Sequence, residues 1–203
     1  MIKIILANHL DPTRPTQETM DFDIETYDPN LKTKGLGAIR NDGFICGIAV
    51  ATEKDTAYFP LQHSDTDIDP ERINKIWDVL NEKIFQNENI TKVFHNAMYD
   101  VCWIRSMGLK IEGRIVDTMI AGSLVDENRF RYDLGSLGRD YVGIGKNEAV
   151  LKETAAHWGI DHKAEMYKLP AMYVGEYAEQ DAVLTLKLWQ EMKKQIEHED
   201  VQS

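Results

Sequence analysis

The sequence predicts an α/β domain with a mixed sheet, and two features of its order predict this class. Strand-like apolar runs are concentrated near the start, and a strand–helix alternation follows them. The second half is mostly helical, so its helices are available to cover the faces of the sheet. At 203 residues the chain is long enough for a sizeable core, and we expect residues 1–203 to form a single domain.

The first predicted elements are strands. Residues 2–7 and 19–25 run apolar or alternate, and the polar, proline-containing loop 11–17 separates them. Residues 43–51 form a nearly continuous apolar run that is typical of a buried strand. Residues 56–61 are predicted to be its hairpin partner.

Helices dominate from residue 69 onwards. Asp69 is a favourable N-cap for a helix that begins at Pro70, and apolar residues recur at helical spacing as far as Ile84. The later predictions are strand 92–95, helix 97–107, strand 115–116, a helix from 117, and helices 133–142, 148–158 and 171–196.

Composition limits the partners that the chain can have. No apolar run approaches the length needed to cross a membrane, so no membrane partner is expected. Cys46 and Cys102 lack the spacing of metal ligands, and reduced core thiols in a cytosolic setting are predicted. The net charge of −11 is unfavourable for holding duplex DNA by broad phosphate neutralisation. A nucleic-acid ligand would therefore be held over a short stretch, largely through bound metal.

Two acids on the strand 19–25 face the same way. Successive side chains of a strand point to opposite faces, so Asp23 and Glu25 project together and Ile24 points into the core. Two carboxylates on one rigid face form a hard oxygen site suited to Mg²⁺ or Mn²⁺. The alternative is a polar face in solvent, which is disfavoured because Phe22 and Ile24 need burial.

Two further pairs are spaced four residues apart on predicted helices. Asn96 and Asp100 share a face at a helix start, where Asn96 could serve simply as the N-cap. Tyr177 and Asp181 share a face of the last helix. An acid within that apolar helix needs a cation or a hydrogen-bonding partner.

Together these segments, in this order and with these spacings, resemble the DEDD superfamily of 3′–5′ exonucleases, and the tyrosine is typical of its tyrosine-bearing branch. From about residue 19 to 195 the chain resembles the proofreading domain of family A DNA polymerases, particularly the phage type. Three further segments carry this resemblance: Val116–Met119, Tyr132–Leu137 and Tyr177–Leu186. It implies a ribonuclease-H-like fold, with a mixed five-stranded sheet flanked by helices, in the cytoplasm of a bacterial or phage-infected cell.

The resemblance also implies a site for two metal ions, Mg²⁺ or Mn²⁺. Asp23, Glu25 and Asp181 would hold the ion that activates water. Asp23 would bridge to a second ion, which Asp100 would support. The two ions would stabilise the attacking and leaving oxygens of an in-line displacement.

Three more residues receive roles from the resemblance. Tyr177 would orient the attacking water, because a phenol with a pKa of about 10 is suited to positioning rather than to proton removal. Thr26 and Asn96 would contact the terminal nucleotide. The expected partner is a single-stranded DNA 3′ end, cleaved to nucleoside 5′-monophosphates, and a DNA polymerase domain or subunit is a further candidate.

Two other functions stay open at this point. A ribonuclease D-type exoribonuclease would use the same four acids and tyrosine, and a non-catalytic polymerase-associated module would need none of them. The chain stops 22 residues after Asp181, which leaves no room for a polymerase domain. We therefore expect either a separated proofreading module or a free-standing exonuclease.

The chain departs from the family in the loop 27–42, which is longer. Relatives place an apolar wedge against the terminal base after the first motif, and Pro29, Leu31 and Leu36 compete for this role. Basic side chains that could line a strand path, although each singly is expected to be a solvated charge, are Arg129, Arg131, Lys146, Lys163 and Lys168.

Overall fold

A computed structural model describes residues 18–66 and 69–202, with side chains to residue 198; the predicted strand 2–7 and loop 11–17 lie outside it. Within the described residues, five strands form one sheet in the order β3-β2-β1-β4-β5. They are β1 (Glu18–Tyr27), β2 (Phe44–Ala51), β3 (Thr56–Pro60), β4 (Ile90–Phe94) and β5 (Ile115–Asp117). Since β1 pairs antiparallel with β2 and parallel with β4, the predicted mixed sheet is confirmed.

The helices predicted from residue 69 onwards largely match their ranges, whereas the predicted loop 27–42 contains two short helices. Asp69 caps its helix as expected, accepting a hydrogen bond of 3.0 Å from the Glu71 amide. The helices are α1 (Leu31–Lys34), α2 (Gly37–Arg40), α3 (Pro70–Leu80), α4 (Ala97–Ser106), α5 (Thr118–Val125), α6 (Leu134–Leu137), α7 (Ala149–Trp158) and α8 (Ala171–Gln202). Single π-helical turns extend α3 over Asn81–Phe85 and α6 over Gly138–Val142, and a 3₁₀ turn covers Met166–Lys168.

The two faces of β1 have different roles. Met20, Phe22 and Ile24 face the core beneath α3 and α4, where the Phe22 ring lies 5.2 Å from that of Phe85. The alternate side chains, including Asp23 and Glu25, face the side covered by α8. Strand periodicity therefore separates the apolar core from the acidic face, as the sequence predicts.

Small side chains let α8 pack closely on the sheet. A Cβ at Gly175 would lie 3.0 Å from the Tyr58 ring, and Ala178 and Ala182 are fully buried. The Glu179 carboxylate accepts a hydrogen bond of 2.9 Å from the Tyr58 amide, which fixes the helix against β3. This close packing brings the middle of α8 to the acids of β1. Among the described residues, no helix is both long and apolar enough to cross a membrane.

Candidate active site

The four predicted acids meet at one side of the sheet. Glu25, Asp100 and Asp181 are buried, and Asp23 is half-buried. Asp100 comes from α4, and its Oδ1 accepts a hydrogen bond of 3.1 Å from the Ile24 amide, between the two acids of β1. This bond fixes the second motif to the first.

A β-bulge follows the two strand acids. Glu25 pairs with Gly47 and Thr26 with Ile45, so the extra residue lies on β2 and the alternation of β1 continues. Thr26 therefore lies on the face of β1 opposite to Asp23 and Glu25. Its Oγ1 lies 2.6 Å from the hydroxyl of Tyr99 on α4, the helix of the second motif.

Burial and mutual repulsion disfavour the ionised forms of the acids. Burial, reinforced by the charge of Asp181, raises the pKa of Asp23 to about 7. Burial and then the charge of Asp23 raise the pKa values of Glu25 and Asp100 well above their usual range. A bound cation would relieve this repulsion.

Tyr177 lies one turn before Asp181 on α8 and is 8% exposed. Burial, followed by the charges of Glu25 and Asp181, raises the pKa of its phenol strongly. The hydroxyl therefore keeps its proton at neutral pH and can donate a hydrogen bond, which fits a positioning role.

Lys146, which we expected singly to be a solvated charge, lies among these acids. Its Nζ forms an ion pair of 2.5 Å with Asp181 Oδ2 and sits 4.8 Å from the centroid of the Tyr177 ring. Burial acts to lower the pKa of Lys146, but the charges of Asp181 and Asp23 outweigh it and raise that pKa. Only the fold distinguishes this lysine from the other basic candidates, because it lies 35 residues before its partner.

Asp21 is a fifth acid that the sequence reasoning missed. It lies on the same face of β1 as Asp23, it is 0% exposed, and neither carboxylate oxygen has a well-formed hydrogen bond. Burial and then the charges of Asp23 and Asp100 raise its pKa well above the usual range, against a weak opposing effect of the Phe22 amide. Its position two residues before Asp23 was the available signal.

The donor set fits a hard divalent cation by charge and chemistry, since its free ligands are carboxylate oxygens. In the described parts of the chain, however, no three acid, histidine or cysteine side chains converge closely enough to hold an ion. The ammonium of Lys146 lies against Asp181 instead. Coordination would therefore require the side chains to rearrange.

The interpretation of Asn96 as a side-chain N-cap is wrong. Asn96 has a left-handed backbone, with φ of 63°, and its side chain makes no capping hydrogen bond. Asp117 caps the helix instead, accepting from the Asn96 amide at 3.0 Å and the Ala97 amide at 2.9 Å. The Asn96 side chain is exposed, one helical turn before the buried Asp100.

Three of the other basic candidates form ion pairs with acids other than the four predicted ones. Lys163 and Lys168 pair with Glu148 and Glu165, and Arg129 pairs with Asp140, as surface charges.

The apolar wedge candidates differ in their exposure. Leu36 packs against the core, which makes it unsuited to contact a base as a wedge. Leu31 is 41% exposed. Two apolar side chains that were not among the wedge candidates are more exposed, namely Ile39 (77%) and Met98 (75%).

Comparison with known proteins decides the family. A profile described as "3′–5′ exonuclease" matches residues 30–197. The chain belongs to this family. The resemblance to DEDD exonucleases and to family A proofreading domains is confirmed. Asp23 and Glu25 precede the matched range.

The relatives of this exonuclease domain are DNA polymerases. The chain is 31% identical to a DNA-directed DNA polymerase of Pseudomonas phage M6 over 184 residues, which cover 89% of this chain and 27% of that protein. The chain spans about a quarter or less of the length of the first curated relatives it matches.

Solved structures confirm the ribonuclease-H-like fold. The catalytic core of RRP6 from Trypanosoma brucei, mutant C496S, matches with a TM-score of 0.64 at 21% identity, over 98% of this chain and 46% of that one. Brucella melitensis NrnC with bound Mg²⁺ matches with a TM-score of 0.62 at 16% identity, over 92% and 80%. The family depends on divalent metal ions.

Proposed function

We propose that this exonuclease domain hydrolyses single-stranded DNA from its 3′ end and releases nucleoside 5′-monophosphates. The observation that carries the proposal is the proximity of Asp23, Glu25, Asp100 and Asp181 to one another and to Tyr177. The charge of Asp181 raises the pKa of Asp23, and the charge of Asp23 raises the pKa values of Glu25 and Asp100. The DNA polymerase relatives support DNA as the substrate.

We assign the metal site to the four acids. Asp23, Glu25 and Asp181 would hold one Mg²⁺ or Mn²⁺, and Asp23 and Asp100 would hold a second. Such ions, when bound, would stabilise the charge on the attacking and leaving oxygens of the displacement.

The remaining residues hold the reactants in place. The protonated Tyr177 hydroxyl would orient the attacking water. The Lys146 ammonium lies beside Asp181 and would attract the scissile phosphate, since it is a compact positive charge at an otherwise negative site. Thr26 and Asn96 would contact the terminal nucleotide.

The test is cleavage of 3′-labelled single-stranded DNA and of matched RNA with Mg²⁺, Mn²⁺ or a chelator. We expect release of mononucleotides from DNA with either metal and none with the chelator. Asp23→Asn should abolish the release, whereas Asp78→Asn, an exposed acid on α3, should not.

Each other outcome points to a different function. Faster cleavage of RNA would indicate an exoribonuclease of the ribonuclease D type. No mononucleotide release with either metal would contradict the proposal and favour a non-catalytic module associated with a DNA polymerase.

A further inference from the structure

Phe130 is fully exposed, at 105% of the reference accessible area. It stands between Arg129 and Arg131 in the segment that joins α5 to α6. Single exposed apolar side chains are common on protein surfaces. This phenylalanine differs because its loop is organised and because two cations flank it.

Side-chain contacts hold the Phe130 loop in shape. The Tyr132 hydroxyl donates a hydrogen bond of 2.9 Å to the Asp126 carbonyl and so closes the loop. The Arg129 guanidinium pairs with Asp140 and lies 5.3 Å from the centroid of the Tyr141 ring. The backbone is thus fixed on both sides of Phe130 while the ring itself stays in solvent.

The Phe130 loop adjoins the wall of the active site. Three residues after Phe130, Asp133 caps α6 by accepting a hydrogen bond of 3.0 Å from the Ser136 amide. Gly135, in the first turn of α6, packs against Lys146: a Cβ there would lie 3.3 Å from the lysine Cβ. The same short helix therefore connects the exposed ring to the lysine that pairs with Asp181.

We propose that Phe130 is a stacking platform for a base of the single-stranded nucleic acid, upstream of the cleaved end. The inference rests on the proposed exonuclease function and adds a subsite to it. An aromatic face stacks on any base, and the adjacent Arg131 supplies a positive charge for the backbone phosphates. A chain with a net charge of −11 needs such local contacts to hold a strand. Since Arg129 is already paired with Asp140, the charge of Arg131 is what favours a polyanion over an apolar protein surface as the occupant.

The test is the affinity of the full chain for a fluorescent 12-nucleotide single strand, measured with a phosphorothioate at the terminal linkage to suppress cleavage. We expect Phe130→Ala to weaken binding about tenfold, because stacking on one aromatic ring contributes at about this level. Phe130→Trp should retain the affinity. Trp158→Ala, which removes a half-exposed aromatic ring at the end of α7, is the matched control.

Length dependence separates stacking from a general loss of charge or fold. The loss in Phe130→Ala should be larger for the 12-mer than for a dinucleotide, which fills little more than the cleavage site. Unchanged affinity of Phe130→Ala for the 12-mer would contradict the proposal that Phe130 stacks on a base. If the wild type still cleaves DNA in that case, the proposed exonuclease function is unaffected. Failure of the wild type to bind or cleave would overturn both.

Discussion

Lys146 compensates charge at a point where acids from β1, α4 and α8 meet. It is paired with Asp181 and lies over the ring of Tyr177. Its charge opposes the rise in the pKa values of Asp23, Glu25 and Asp181. Strand and helix periodicities predict which of the four acids and Tyr177 share a face. The resemblance to the exonuclease family predicts that these segments form one site. Lys146 could not be predicted in this way, because it lies in a loop, where side-chain orientation does not follow a regular period.

Lys146→Met should therefore destabilise the metal-free protein, by about 1–3 kcal/mol, because the buried Asp181 loses the partly exposed cation that pairs with it. Millimolar Mn²⁺ should restore more stability to this variant than to the wild type. Thermal melts with and without Mn²⁺ measure both effects. The exposed Lys152→Met, on α7, is the control. Equal melting temperatures of Lys146→Met and wild type without metal would contradict this role.

Tyr177→Phe should reduce the rate of cleavage about 10²-fold and leave the fold intact, since the ring is kept and only the hydroxyl that orients water is lost. Single-turnover cleavage of labelled DNA measures the rate. Tyr173→Phe, a half-buried tyrosine on the same helix, should cleave normally. Full activity in Tyr177→Phe would remove the hydroxyl from the mechanism.

Asp21→Asn should raise the free energy of unfolding at pH 8 by about 1–3 kcal/mol in the absence of metal, because it removes a buried charge without a well-formed hydrogen bond. The gain should disappear near pH 2, well below the pKa of about 3.9 of an unfolded aspartate, where the acid is protonated in both states. Denaturant unfolding at the two pH values, with Asp78→Asn as control, checks this. A loss of stability at pH 8 would show that Asp21 has a favourable partner.

At the scale of elements, β1 and α8 together form the site. The strand supplies two acids on one face, and the helix reaches them because Gly175, Ala178 and Ala182 let it approach the sheet. Apolar runs and capping residues predicted both elements. Two other features leave no local pattern in the sequence, because they arise from contacts between distant segments. One is the bulge between β1 and β2, and the other is Asp117, whose carboxylate accepts hydrogen bonds from amides of both α4 and α5.

Gly175→Val should push α8 away from the Tyr58 ring and lower the free energy of unfolding by about 1–3 kcal/mol. Cleavage should slow as well, because Tyr177 and Asp181 move with the helix. The exposed neighbour Glu176→Val carries the same β-branched side chain on the same helix and controls for helix propensity. Equal stabilities of the two variants would show that the close approach is unimportant.

For the whole molecule, the fold class could be predicted from the order of strand and helix patterns, and the family from the resemblance that the acidic motifs carry. The balance of charge within the site could not, since it depends on which distant side chains become neighbours. Five acids and one lysine share the acidic side of the sheet in a protein of net charge −11. Its stability should consequently depend on pH and on metal.

Without metal, the free energy of unfolding should fall as the pH rises from about 4 to beyond 7. The folded-state pKa of Asp23 is about 7, above the value of about 3.9 for an unfolded aspartate. The native state therefore holds the proton that the unfolded state has lost, and stability decreases through this window. Mn²⁺ should oppose the fall by binding only the folded state. Chemical denaturation across pH, with chelator or metal, tests it; a flat metal-free profile would contradict it.

The alternation of β1 also determines which changes in length the gene can tolerate. Removal of one residue between 18 and 22 would exchange the faces of the side chains along β1. Phe22 or Ile24 would then face the acidic side, and Asp23 and Glu25 would face the apolar core, unless the strand shifted by one residue against both neighbouring strands. The segment 28–41, which leaves the sheet after the bulge, has no such constraint. Insertions and deletions among natural variants should therefore accumulate in that segment and be absent from the strand before it.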